Sequence, residues 1–287
     1  MSVGRVFLVV WLAASLVFAV LPGIDLAVAR VFFVEGEGFV LGDVRQLQLI
    51  REGLWNLANL VGFVALAFGI HALLSRRTCR VPGRVWGYAV TLILVVPIGI
   101  VNGILKEFWG RARPDDVTEF GGPLAFTPPW EIAGQCARNC SFVSGEAASA
   151  ATMAILIGLF AWNAVPGGRR PYLVAVLVAI ALGAGMLRVS FGRHFLSDVL
   201  WADIIVLTMA WALARAFRLR DVIDRITFGA VAADARTAAH DLAAVARAFS
   251  HFARALAREL RAGSGGRAPK VADAPESRDV DATPRKT

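Results

Sequence analysis

"CSFVSGEAASAATMAILIGLF", Cys140–Phe160, sets a Ser-Gly pair and one carboxylate, Glu146, at the mouth of a long apolar run. A run of this length and composition reads as a membrane helix, and a carboxylate at its start has a desolvation cost that some function or partner must offset. The fold is read outward from this point.

The chain has 287 residues, of which 57% are hydrophobic and 18% charged, too apolar for an ordinary soluble domain. Six apolar stretches are long enough to cross a bilayer, at approximately 5–22, 54–74, 85–105, 146–164, 172–190 and 198–217. The first has only Arg5 ahead of it and no small-x-small cleavage pattern, so it reads as a retained helix rather than a leader. The expected fold is therefore all-α: a polytopic bundle of six transmembrane helices, followed by a cytoplasmic amphipathic helix.

Arginines set the orientation. Arg76, Arg77, Arg80 and Arg84 lie in one short loop, Arg169 and Arg170 in another, and Arg215, Arg218 and Arg220 follow the last span. With six alternating spans all of them fall on one side, which makes that side cytoplasmic and places both termini there. The chain's net charge of +8 then suits anionic lipids at the cytoplasmic leaflet, and no aromatic-studded basic groove points to nucleic acid. Cys136 and Cys140 fall on the opposite, oxidising side, where they can form a disulfide or stand as two separate thiols, whereas Cys79 falls in the cytoplasmic loop.

Three regions follow. Residues 1–220 make the membrane domain. Within it, 23–53 mixes apolar and charged positions like segments lying at the outer interface, and 114–145 is a long Pro- and Gly-rich outer loop. Residues 221–262 carry Ala, Val, Leu and Phe at helical spacing with Arg between, a basic amphipathic helix. Residues 263–287 hold too few apolar groups to bury and are expected to be disordered.

Charged groups beside membrane spans are costly, and several on one side mark a site. Here they gather in "KEFWGRARP" (Lys106, Arg111, Arg113), in "SFVSGE", and in "LRVSFGRHFLSD" (Arg188, Arg193, His194, Asp198). Lys106, Arg113 and Arg188 can surround a tetrahedral dianion, and the Ser144 hydroxyl and Gly145 N–H at a helix start add neutral donors. His194 and Asp198 share a face if a helix starts there, so the carboxylate can fix the imidazole tautomer and leave the other nitrogen free to attack phosphorus. Arg111 and Arg193 read as helix-end anchors.

The order Lys106, six residues, Arg113-Pro114; Ser144-Gly145; Arg188, five residues, His194, three residues, Asp198 resembles the three-part signature of the type 2 phosphatidic-acid phosphatase superfamily. The likeness covers roughly 90–216. It implies a phosphate cage of Lys106, Arg113, Ser144, Gly145 and Arg188, and a phosphohistidine on His194 oriented by Asp198, with no metal ion and no cofactor. The family's usual second motif, Pro-Ser-Gly-His, is here Val143-Ser144-Gly145-Glu146, and Leu187 stands where the third motif usually opens with Ser. Glu146 thus takes the place of the family's general acid, a role it fills only when protonated.

The expectation is a lipid phosphatase of a bacterial-type inner membrane, cleaving a phosphate monoester or pyrophosphate at the periplasmic face. The lipid is of the lipid A, undecaprenyl pyrophosphate or glycerophospholipid kind. The rivals are a lipid-to-lipid phosphotransferase and a catalytically degenerate lipid-binding or transport protein.

Overall fold

The computed structural model describes residues 2–75 and 79–263; Arg76 and Arg77 of the expected cytoplasmic loop, and residues 264–287 of the expected disordered tail, lie outside them. Among the described residues the chain is helical, with no strand. Helices α1 (Val3–Val20), α2 (Gly23–Arg30), α3 (Arg45–Leu74) and α4 (Gly83–Ile93) come first. From α4 the chain continues as a π-helical stretch, Leu94–Leu105, into the single turn α5 (Lys106–Phe108). Then follow α6 (Gly145–Ala161), α7 (Arg170–Ser190), α8 (Leu196–Ala216) and α9 (Phe228–Gly263).

Among the described residues five segments have the length and apolarity to cross a membrane: α1, α3, the continuous Gly83–Phe108, the segment containing α7, and α8. Six were expected. The difference is α6, whose 17 residues span about 25 Å at 1.5 Å per residue, short of a ~30 Å hydrocarbon core. It is also the most enclosed helix of the bundle, packed against α3, α7, α8 and the π-stretch. Its buried Ala147, Ala148, Ala150, Ala151 and Ala154 let those backbones come close, as small residues do between membrane helices. Helix α1 is the reverse case. Only Phe18 is buried, and Leu8, Leu12 and Leu16 face outward, as lipid contact requires.

Helix α3 begins at Arg45, nine residues before the expected start of the second span. The charges at Arg51 and Glu52 made that stretch look interfacial, yet it is the first two turns of a helix long enough to project beyond the hydrocarbon core. Only α2 and a 3₁₀ turn at Val40–Asp43 remain as separate short elements between the first two spans.

Two local features aim residues at one end of the bundle. Pro97 sits inside the π-stretch and has no N–H to give; Asn102 Nδ2 donates to the Pro97 carbonyl at 2.5 Å, across the widened turn that precedes Lys106. Gly192, at φ +68°, makes the reversal between α7 and α8, and a Cβ there would collide with the Phe39 ring.

Among the described residues, 2–238 form one compact unit and 239–263 belong to a second. Within the first, Asp234 of α9 accepts from the Arg80 and Val81 N–H groups at 2.7 and 2.9 Å. In the second, Leu242, Val245, Phe249, Phe252 and Leu256 recur at three- and four-residue steps and are exposed.

Candidate active site

The three polar segments are stitched together by backbone hydrogen bonds. Cys140 N–H donates to Lys106 O, Ser141 N–H to Arg111 O, Ser144 N–H to Asp198 O, and Asp115 N–H to Gly192 O, each at 3.0 Å. The chain thus gathers its charged residues where α3, α6 and α8 begin and α5 and α7 end. The positive dipole ends of α6 and α8 point to the same place. Cys136 and Cys140 are joined by a disulfide in the loop beside it, with Cα atoms 5.6 Å apart.

His194 is buried. Its Nδ1 lies 2.7 Å from the Ser141 carbonyl oxygen. A carbonyl can only accept, so Nδ1 carries the proton and Nε2 keeps its lone pair. Burial, reinforced by the nearby charges of Lys106 and Arg188 and opposed by Asp198, brings the His194 pKa down to about 4, so the ring is neutral at ordinary pH.

The expected bond from His194 to Asp198 is replaced by this one: Asp198 Oδ2 stands 3.7 Å from Nδ1. The carboxylate is occupied elsewhere. Oδ1 accepts from Arg111 at 2.6 Å, and Oδ2 accepts from the Ser141 hydroxyl at 2.5 Å and from the Phe195 N–H at 2.8 Å, closing the first turn of α8. Asp198 and His194 therefore meet through Ser141, whose hydroxyl holds one and whose carbonyl holds the other.

Arg111 is not a snorkelling anchor. It is fully buried, at 0% exposure, and bridges two carboxylates, Asp198 at 2.6 Å and Asp25 of α2 at 2.8 Å. Its other donors reach the Thr127 carbonyl and the Ser197 hydroxyl, both at 2.8 Å, and its guanidinium lies 4.4 Å from the Phe195 ring centroid. Asp25 in turn accepts from the Ser197 N–H and hydroxyl. Arg193 is likewise paired, to Asp115 at 2.6 Å.

Lys106 is 8% exposed, and among the described residues its ammonium has no hydrogen bond or ion pair within the chain. It lies in the field of Arg113 and Arg188. Arg113 donates to the Asn139 carbonyl at 2.7 Å, and the Arg188 Nε, buried without a hydrogen bond, has Glu146 Oε1 at 3.5 Å. Ser144 is the N-cap of α6, its hydroxyl oxygen accepting from the Ala147 N–H at 3.4 Å. Gly145 is buried against Asn102, whose Oδ1 would lie 2.7 Å from an added Cβ, so the closeness of α6 to the π-stretch itself demands glycine.

Glu146 has a partner that sequence reasoning missed. Arg51 of α3 grips both carboxylate oxygens: Nε to Oε2 at 2.8 Å and to Oε1 at 3.1 Å, and Nη2 to Oε1 at 2.6 Å. In this two-oxygen ion pair both Glu146 oxygens accept from the one guanidinium. Arg51, Arg188 and Arg193 line a cavity of about 520 Å³ together with Gln48, Asp115 and Phe120. A larger cavity of about 1400 Å³, mostly apolar, lies among α6, α7 and α8 beside Asp203 and holds none of these residues.

A helical membrane bundle that packs a neutral histidine among buried cations has the makings of a phosphoryl-transfer enzyme. The chain belongs to the PAP2 superfamily, whose family model matches residues 84–221. It is 36% identical over 216 residues to a lipid A 4'-phosphatase of Rhizobium leguminosarum, covering 70% of this chain and 91% of the relative. A lipid A 4'-phosphatase of Francisella tularensis subsp. novicida is 39% identical over 116 residues, 40% of this chain and 50% of the relative. A lipid A 1-phosphatase of Rhizobium etli is 31% identical over 115 residues, 40% of this chain and 44% of the relative. No solved structure matches. The protein is a multi-pass membrane lipid phosphatase.

Proposed function

We propose that the protein removes a phosphate monoester from a lipid A-type glycolipid through a phosphohistidine on His194. The observation that carries this reading is Lys106, 8% exposed and, among the described residues, with no hydrogen bond or ion pair for its ammonium, beside an imidazole whose Nε2 is unprotonated. A buried cation of this kind is costly unless an anion joins it, and a phosphate dianion between Lys106, Arg113 and Arg188 supplies that anion.

The Nε2 lone pair attacks phosphorus, and the ester P–O bond breaks with its electron pair leaving on the lipid oxygen, which takes up a proton. Water oxygen then attacks the phosphohistidine, the P–N bond returns its pair to Nε2, and inorganic phosphate departs. Asp198 acts behind Ser141: it anchors the hydroxyl of the residue whose carbonyl fixes the imidazole. The neutral donors expected from Ser144 and Gly145 belong to the same cage, at the positive end of α6.

The names of the relatives support a lipid A-type substrate, and the site's position at one end of the spans suits a headgroup arriving from the leaflet. Arg80, Arg84, Arg169, Arg170, Arg215, Arg218 and Arg220 at the opposite end support a cytoplasmic assignment for that end, both termini included, and a periplasmic one for the site. The exposed apolar row of α9 with its arginines fits anionic lipids of the cytoplasmic leaflet. The test is inorganic phosphate release by the purified protein from lipid A, phosphatidic acid and polyprenyl pyrophosphate. Release from lipid A well above the other two is the expected result; phosphate from another lipid alone would reassign the substrate, and transfer to a second lipid without release would make the protein a phosphotransferase.

A further inference from the structure

We propose that Arg51 is a substrate-binding residue of this phosphatase, and that Glu146 serves to hold it there rather than to protonate the leaving group. The inference rests on the reading of His194 and its cations given above.

The geometry comes from two helices far apart in sequence. Arg51 lies two turns into α3, and Glu146 is the second residue of α6. Three donor–acceptor contacts between 2.6 and 3.1 Å fix the guanidinium plane in the carboxylate fork. Glu146 also faces Arg188 at 3.5 Å, so one carboxylate stands between two guanidinium groups. Removing it would leave those two cations facing each other, which is repulsive at such range in a partly buried site. A carboxyl group that accepts on both oxygens from one guanidinium and faces a second is placed to hold cations rather than to reach a leaving oxygen.

Arg51 keeps nitrogen donors beyond those given to Glu146, and it lines the cavity of about 520 Å³ shared with Arg188. That cavity carries balanced charge: Arg51, Arg188 and Arg193 stand with Asp43 and Asp115 on its wall, and Glu146 adjoins Arg51. Phe33, Phe39 and Phe120, in mutual ring contact at 5.1 to 5.4 Å, close another side. Paired guanidinium and carboxylate groups with an aromatic floor suit an uncharged polyhydroxyl headgroup better than a second phosphate. Arg188 lines this cavity and also belongs to the phosphate cage, so a sugar in the cavity with its phosphate among Lys106, Arg113 and Arg188 would bring the ester oxygen to the side of Arg188 where Glu146 and Arg51 stand.

The leaving step then needs no carboxylic acid. As the P–O bond breaks, the electron pair on the sugar oxygen is stabilised by the fixed Arg51 cation. That oxygen takes its proton from a water molecule, and the hydroxide so formed attacks the phosphohistidine, which releases phosphate and restores the imidazole. The sum is ester plus water giving alcohol plus phosphate.

The test is a double-mutant cycle on the full chain: Arg51→Gln, Glu146→Gln and the pair, with Arg51→Lys and the His194→Ala control. Each is assayed on lipid A and on 4-nitrophenyl phosphate, whose leaving group needs neither a headgroup cavity nor a proton. Each single change is expected to lower kcat/KM on lipid A about 10- to 100-fold and on the aryl phosphate far less, the double change to be no worse than the worse single one, and Arg51→Lys to retain part of the loss. Glu146→His is expected to lose activity and Arg51→Gln/Glu146→His to regain some of it. Additive losses, or an Arg51→Gln protein as active as the parent while Glu146→Gln selectively slows lipid A, would overturn the proposal and return Glu146 to the acid role. Should Arg51→Gln not fold, Arg51→Lys and the two Glu146 variants decide. Activity surviving in His194→Ala would instead count against the phosphohistidine reading, independently of the cycle.

Discussion

His194 gives its Nδ1 proton to the Ser141 carbonyl at 2.7 Å, while the Ser141 hydroxyl bonds Asp198 at 2.5 Å. One serine thus joins the proposed nucleophile to Asp198, through two different groups. Ser141→Ala keeps the carbonyl and removes the hydroxyl. It is expected to slow turnover about 3- to 30-fold with little change in KM, since the imidazole stays in its tautomer but loses the anchor behind it. Asp198→Asn is expected to cost more, roughly 10²–10⁴ in kcat, because it also leaves Arg111 with one carboxylate instead of two. Comparable kcat values for the two variants would show that Asp198 acts on His194 only through the hydroxyl.

The acid limb of the pH profile tests the burial of His194. A folded-state pKa near 4 against about 6.5 unfolded means that the native site binds fewer protons than the unfolded chain between those values. Stability from this group is therefore complete above about pH 6.5 and is lost as pH falls toward 4. Nucleophilic activity should persist through pH 5 and fall with a midpoint near 4, read from kcat/KM in detergent micelles. A midpoint near 6.5 would show the imidazole to be solvated.

The buried Asp25–Arg111–Asp198 chain makes a stability claim. Asp25→Ala leaves one side of a fully buried guanidinium without its carboxylate and the Ser197 N–H and hydroxyl without their acceptor. A loss of about 3–5 kcal/mol is expected, the scale for breaking a buried pair, seen as a lowered thermal midpoint in detergent. A shift no larger than that of an exposed-site control such as Glu37→Ala would mean that α2 contributes little to holding Arg111.

Gly145→Ala places a methyl 2.7 Å from Asn102 Oδ1. Activity is expected to fall about tenfold or more as α6 is pushed from the π-stretch, and Asn102→Ala is expected to restore a good part of it. Failure of that rescue, with folding intact, would point to the Gly145 N–H itself, rather than packing, as what the substitution disturbs.

Much of this was legible in the sequence, and the failures share a cause. Lys106, Arg113, Arg188, His194 and Asp198 announced themselves by charge beside apolar runs, and the helices by the runs alone. Arg51 and Asp25 gave no such signal: each lies in the mixed 23–53 stretch, and each finds its partner 95 or 86 residues away. Arg111 looked like an anchor because a helix-end arginine usually is one; only the packing of α2 against α8 makes it a buried bridge. Ser141 was invisible because its decisive group, the carbonyl, belongs to every residue. The sixth expected span, α6, is shorter than the other five, and its apolarity reflects contact with other helices as much as with lipid.

The most direct measurement is chemical trapping of the intermediate. Purified protein is mixed with lipid A carrying ³²P at its phosphate monoester, quenched in alkali within the first turnover, digested and sequenced. The account expects stoichiometric, acid-labile and alkali-stable label on His194, absent from His194→Ala and chased off by unlabelled substrate. Full turnover by the parent with no labelled histidine under conditions where chemistry is faster than hydrolysis, or label on any other residue, would contradict it.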